Sequence, residues 1–371
     1  GSEMCIRDRF TRSRFFRYVY FKTLDCMSCH LHYRQTNRKR IMILCAAAVL
    51  LLITIVLDLA VGSSSMSLSA LTQALLSGPN ASDINATIVW SLRLPMTLTA
   101  LFVGTSLAMA GLQIQNITQN ALASPSTLGI TSAASFGAAL SISLGLGFLG
   151  QFWISTATSA LIFALLVSFA IYFLSARRGM TPETVILAGI VVNFFFLALQ
   201  QVLIYHSSPE VAQIINGWTF GNLERASWLA VGLNAALTLL IALFLMKRSW
   251  VITALTLGEE RAMSLGIAVR RLRIETFFLS ALLIAAAVAF IGTVSFVGLV
   301  APHIAKLVLG EDQRFLLPGT LLSGALLMGL SSLFAKLISV GSVIPVGIIT
   351  SLVGVPFLLV LLIRYSARRT Q

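Results

Sequence analysis

The chain has 371 residues, of which 57% are hydrophobic and only 11% charged, against about 25% charged in a typical soluble domain. With a mean hydropathy of +0.91, this excludes a soluble globular protein and points to a polytopic membrane protein, whose spans are helices because lipid offers unpaired backbone groups no partner. The net charge of +13 is no sign of nucleic-acid binding: residues 1–40 hold ten Lys/Arg against three Asp/Glu, and the rest of the excess flanks apolar runs.

Residues 1–40 form a basic leader. Its stretch Met4-Cys5-Ile6-Arg7-Asp8-Arg9 resembles a translated sequencing adapter, so the residues before Met27 are expected to be non-native, with Met27 as the start. Cys26-Met27-Ser28-Cys29-His30 has the C-x-x-C-H pattern of covalent haem attachment. A start at Met27 removes Cys26 and with it the motif, and the leader is expected on the cytoplasmic side, so no haem is assigned. The fourth cysteine outside the leader group, Cys45, lies in the first span, and no disulfide framework is implied.

Ten apolar segments follow, the spans of an all-α polytopic fold. They run over residues 41–61, 94–112, 130–148, 152–174, 184–205, 228–246, 274–291, 294–309, 315–338 and 343–363, most near the roughly 20 residues a helix needs to cross. The eighth is short and contains Pro302, which predicts a broken or tilted span. With the N-terminus inside, 23 of the 26 Lys/Arg fall on the inner side, leaving Arg93, Arg225 and Lys336 outside. This asymmetry places both termini, including the basic tail 365–371, in the cytoplasm. Between the spans, 68–76 shows a weak helical patch, and Trp218 and Trp228 suit an interfacial belt. In the last span Gly347, Ser351 and Gly354 line one face for close helix contact.

The segment 256–272 is a polar insertion on the inner side. Thr256 and Glu259 have capping-box spacing, Glu259 and Glu260 fall in a first turn where the helix dipole favours negative charge, and Gly266 is a C-terminal stop. A few turn residues would suffice to join two spans, so a capped helix here is a candidate contact for an aqueous partner; the competing reading is an idle ordered loop.

The apolar segments carry almost no ionisable residue: Asp58, His303, Lys306 and Lys336 all lie near predicted ends, which argues against an ion-coupled secondary carrier. No HExxH, His cluster or GxSxG supports an enzyme, and no GxxxxGK[ST] supports ATP binding by the chain itself. A pore without an engine requires an energised partner.

Several motifs then coincide. Trp90-Ser91-Leu92-Arg93-Leu94-Pro95, Gly111-Leu112-Gln113, Gln119-Asn120-Ala121-Leu122-Ala123-Ser124-Pro125 and Leu187-Ala188-Gly189 occur in order, followed by 257–267, Ser295-Phe296-Val297-Gly298-Leu299 through His303, and Ile344-Pro345-Val346-Gly347. Over residues 41–364 the chain resembles the permease subunits of ABC importers for iron(III) siderophores, haem and cobalamin, the type II importers. The resemblance implies a transmembrane permease of the bacterial inner membrane that is not itself an enzyme. Its implied partners are a second copy of the chain, a cytoplasmic dimer of ATP-binding subunits, an extracytoplasmic substrate-binding protein and membrane lipid, with no nucleic acid. It implies no cofactor or metal bound by the chain itself, with ATP and Mg used by the partner ATPase.

By the same resemblance, Asn120 and Leu122 match one cytoplasmic gate, and Thr181 and Pro182 a second. Glu259, Glu260, Arg261, Ala262, Met263, Ser264, Leu265 and Gly266 match the segment that enters a cleft on the ATPase. Arg93 matches an outer arginine that docks the binding protein, and Lys336 falls where a second arginine is frequent; simple snorkelling is the alternative for both. Ala121 stands in place of a proline after Asn120, and Ser332 and Val343 in place of Asp and Glu. The expected function is ATP-driven import of an iron(III) siderophore or similar metal chelate; a haem or cobalamin permease, and a secondary transporter, are the alternatives. Mass spectrometry of the natively expressed protein is expected to find Met27 as its first residue; a chain retaining Cys26 would restore the haem-attachment motif.

Overall fold

The computed structural model describes residues 33–62, 66–80, 83–147, 152–177, 179–339 and 344–369. The leader up to residue 32, Val343, Arg178 and residues 370–371 lie outside them. The chain divides into two units, 1–46 and 47–371. The described part of the first is the opening of α1 (Tyr33–Ala60), with Cys45 an exposed free thiol.

The second unit is helical throughout, with no strand among the described residues. After α1 come α2 (Leu68–Ser77) and α3 (Ile84–Ile88). A π-turn at Val89–Arg93 leads into α4 (Leu94–Thr118), so that 84–118 forms one continuous helical run. Then follow α5 (Ile130–Ser143), α6 (Phe152–Ala176), α7 (Pro182–His206), α8 (Pro209–Thr219), α9 (Trp228–Lys247), α10 (Ser249–Thr256) and α11 (Glu259–Ser264). The chain closes with α12 (Val269–Ile291), α13 (Val297–Leu309), α14 (Gln313–Ile338) and α15 (Val346–Arg369). Seven of these helices are long and apolar enough to cross a membrane; α5, α13 and α15 are apolar but shorter in their described apolar parts. Together they are the ten segments expected, and the patch at 68–76 is α2.

The bundle is built around α4, which packs on α14, α12, α13 and α9 and is 83% buried over its apolar window, against 22% for α7. Composition explains the difference. α4 presents Gly104 and Gly111 to its neighbours, and a Cβ at Gly104 would strike the Gly324 carbonyl of α14, one at Gly111 the Gly298 carbonyl of α13. Lipid is as apolar as leucine, so helices associate through such close contacts rather than through hydrophobicity alone. α7 instead carries Leu187, Val191, Phe194 and Phe195 on an exposed face, a surface that hydrocarbon solvates without cost.

Ridge-forming polar contacts lock the bundle further: the Ser106 hydroxyl meets Thr238 on α9, and Ser159 on α6 donates to the Gly137 carbonyl of α5 at 2.7 Å. The eighth segment is short, but it is not broken at Pro302, which lies inside a continuous α13; the non-helical residues are 293–296 before it, and Phe296 caps α13 in the left-handed region, φ 67°. Trp228 is exposed, as an interfacial residue should be, whereas Trp218 is fully buried because, with Ile215, it lies on the inward face of amphipathic α8. Replacing Gly111 with leucine is expected to destabilise the purified chain by about 1–3 kcal/mol through overpacking, read as a lower melting temperature in detergent. Gly232→Ala on α9, where a Cβ meets nothing within 4 Å, should leave the melting temperature unchanged or raise it.

Candidate functional site

Three regions concentrate the polar chemistry: one at each end of the bundle and one on its side.

At the end where α1 finishes, Asp58 is fully buried. Lys336 on α14 pairs with its carboxylate at 2.8 Å and also donates to the Asp58 carbonyl at 2.9 Å. Thr97 on α4 donates to Oδ2 at 2.5 Å and Ser332 to Oδ1 at 2.8 Å. Arg93 donates to the Leu59 and Ala60 carbonyls at 2.7 and 3.0 Å, capping α1 where a helix leaves its last carbonyls without partners. Arg93 and Lys336 are only 5% and 8% exposed. The two expected docking cations are thus turned inward in the isolated chain, Lys336 to neutralise a carboxylate and Arg93 to cap a helix, since a buried charge without a partner is costly. Ser332 does occupy a position next to an acid, but the carboxylate comes from α1. The third expected outer cation, Arg225, lies 4.1 Å from the centroid of the Trp153 ring.

On the side of the bundle, α8, the 292–296 segment and α15 cross closely. The Gly347 amide donates to the Phe220 carbonyl at 3.1 Å, the Asn222 amide to Ile291 at 2.7 Å, and the Thr293 hydroxyl to the Thr219 carbonyl. Gly221 and Gly292 adopt positive φ, 71° and 87°, and a Cβ on Gly292 or Gly347 would overlap the carbonyl of Trp218 or Phe220. These contacts floor an open cavity of about 660 Å³, lined among others by Thr219, Thr293, Ser295, Gly347, Ser351 and Pro356. Among the described residues, no charged side chain lines it. Gly347 and Ser351 face this cavity, and Gly354 packs on the Phe296 ring.

At the opposite end, α11 is anchored by Ala262, buried against Leu255, Val269 and Leu272. Around that anchor Glu260, Arg261, Met263, Ser264, Leu265 and Gly266 are exposed, with Glu259 half-buried. Gly266, φ 79°, closes the helix: its amide bonds to Met263 and that of Ile267 to Ala262, the pairing of a Schellman motif. The capping box does not form. Thr256 is the last residue of α10 and its hydroxyl donates to Thr253, while Gly258 precedes α11. The Glu259 carboxylate is instead taken by Arg273, because a charge-assisted bond to a buried guanidinium outweighs one to a backbone amide.

Nearby, α4 ends at Gln119 in the left-handed conformation, φ 47°. Asn120 Oδ1 accepts the Leu122 amide at 2.9 Å, and the Ala123 amide bonds to the Asn120 carbonyl. This turn is held by hydrogen bonds where a proline at position 121 would have stiffened it. Leu122 is exposed, and Pro125 packs on Gly298. Thr181 caps α7, accepting the Thr184 amide at 3.4 Å, with Pro182 at the first helical position. The two loops and α11 converge on Arg273: its Nε donates to the Ile117 carbonyl at 3.0 Å, Nη1 to Met180 at 2.5 Å and Nη2 to Glu259. Sequence reasoning counted Arg273 only as one inner cation; the signal available was a third arginine on α12, one turn in and flanked by Leu272 and Ile274 where the apolar run begins.

Ten apolar helices with a weakly polar side cavity and an exposed polar helix at one end define the membrane-spanning part of a driven transporter. Residues 50–364 match the FecCD transport family, and the chain belongs to it. It is 36% identical over 348 residues to an ABC transporter permease protein of Methanocaldococcus jannaschii, covering 91% of this chain and 98% of that one. It is 34% identical to the hemin transport system permease protein of Yersinia pestis, covering 86% and 96%. Among solved structures it is similar to a metal-chelate type ABC transporter in an inward-facing conformation, with a TM-score of 0.75, 31% identity, and coverage of 87% and 99%. The chain is an ABC importer permease and a multi-pass protein of the inner membrane.

Removal of the Lys336 amine by Lys336→Met strands the Asp58 carboxylate and is expected to cost about 3–5 kcal/mol. The Asp58→Asn, Lys336→Met double variant should recover most of that loss, both read by thermal unfolding in detergent.

Proposed function

We propose that this chain carries a metal chelate into the cytoplasm as one of two identical permease subunits, driven by a pair of ATP-binding subunits that engage α11. A ferric siderophore is the first substrate in view, with haem and cobalamin as alternatives. In this reading the Glu259 end is cytoplasmic and the Arg93 end faces the binding protein. The observation that carries it is the cavity beside α15. Its lining is hydroxyl, glycine and apolar, with no charged side chain among the described residues, so it can accommodate a bulky chelate without holding it. Apposed with the same face of a second copy, it would form a path along the twofold axis.

The exposed apolar side chains Leu257, Met263 and Leu265 support the contact with the ATP-binding subunit. Interleaved with exposed Glu260 and Arg261, they combine apolar contact area with polar groups, as protein interfaces do. Delegation of substrate choice to the binding protein follows from the same lining, since groups that do not grip discriminate weakly.

The test is uptake into proteoliposomes holding the chain with its ATP-binding subunits and binding protein, using a panel of ferric siderophores, haem and cobalamin. Uptake should require ATP. Ser351→Trp, which fills the cavity, should lower uptake at least tenfold while ATP hydrolysis stays within about threefold. Uptake that persists without the ATP-binding subunits would place the protein among secondary carriers.

A further inference from the structure

Arg273 is 3% exposed at its side chain, and each of its bonds reaches a different part of the chain. Ile117 lies three residues before the Asn120 turn, in the last turn of α4, whose carbonyls have no helical partner. Met180 immediately precedes Thr181; it is 1% exposed and held in the left-handed region, φ 56°, by a bond from its amide to the Ser175 carbonyl at 2.9 Å. Glu259 is the first residue of α11. A buried guanidinium needs a counter-charge, which Glu259 supplies in direct contact, with the Glu183 carboxylate at the start of α7 also within electrostatic reach. The further bonds to Ile117 and Met180 fix the roots of two loops that are 63 residues apart in sequence.

We propose that Arg273 is a positioning residue that clamps α11 to the bases of both loops, so that displacement of α11 by the ATP-binding subunit moves the 119–123 and 179–182 segments together. The inference rests on the function proposed above and adds to it the element that transmits the stroke. Geometry favours a clamp over a simple counter-ion. The planar guanidinium directs donors along three divergent lines, where a lysine ammonium on a flexible stem acts as a point charge. One carbonyl acceptor belongs to the last turn of α4; the other, Met180, immediately precedes the Thr181 cap of α7 and is itself tied to the end of α6 through Ser175, so a shift of the guanidinium is passed to both loops. Glu259 is 34% exposed, which places the far end of the clamp at the surface that the partner would touch.

The experiment measures ATP hydrolysis and substrate uptake in parallel, in proteoliposomes holding the complete complex, and reads the ratio of ATP consumed to substrate moved. A role confined to folding lowers both rates with the amount of intact complex and leaves the ratio unchanged. Arg273→Lys keeps the charge opposite Glu259 but loses the fork, and the ratio is expected to rise at least tenfold with hydrolysis within about threefold of the parent. Glu259→Gln, which weakens the outer bond and leaves the inner two, should raise it about threefold. If Arg273→Lys does not assemble, Glu259→Gln decides the question on the same ratio. An unchanged ratio in the variants that assemble overturns the clamp. Absence of ATP-dependent uptake by the parent complex overturns the functional reading itself, a separate outcome.

Discussion

Within a hydrocarbon layer the chain is its own only source of hydrogen bonds and counter-charges. That constraint governs where the fully buried charged side chains among the described residues end up. Asp58, Arg93 and Lys336 gather at one end of the bundle, and Arg273 and Glu259 at the other. Each group stitches together helices that are remote in sequence: α1, α4 and α14 in the first case, α4, α11, α12 and the start of α7 in the second. The two clusters differ in a way that matters. The first is closed, with its cations and its carboxylate buried together. The second is open on one side, because Glu259 is half-buried and belongs to a helix that is otherwise largely exposed.

Between these ends, small residues set the geometry. Gly104 against Gly324 and Gly111 against Gly298 bring α4 into backbone contact with α14 and α13, leaving no room for independent motion at the centre. Conformational strain is found elsewhere. Among the described residues, the non-glycine positions with positive φ are Gln119, Met180 and Phe296, a conformation that costs an L-residue about 1–2 kcal/mol. Gln119 ends α4 at the first loop, Met180 precedes the second, and Phe296 caps α13 close to the side cavity. A rigid centre bordered by strained junctions is what a transporter needs if its ends are to switch while its middle holds.

The division of labour follows from the same chemistry. A cavity lined by hydroxyls, glycine and aliphatic groups lacks the buried, directional polar groups through which a site rejects wrong ligands. In the proposed function this chain therefore supplies the path, the ATP-binding subunits supply the drive, and choice of cargo belongs to a protein with a gripping pocket.

Hydropathy, the Lys/Arg pattern and the ordered motifs were enough to define an all-helical membrane protein with ten apolar segments, the family, and the short helix ending at Gly266. These are properties of single segments, and a segment's transfer into lipid or its C-terminal cap depends on residues close together in the chain. What only the tertiary structure decided were the partners of charged groups. Arg93 and Lys336 read from sequence as exposed cations because Asp58, 35 and 278 residues away, is invisible as their neighbour until α1 packs on α4 and α14. Thr256 and Glu259 have capping-box spacing, yet Glu259 turns to Arg273 because burial of that guanidinium makes the ion pair worth more than the cap. Local spacing specifies which bonds are geometrically available; in a bundle that excludes water, the long-range fold determines which of them are made.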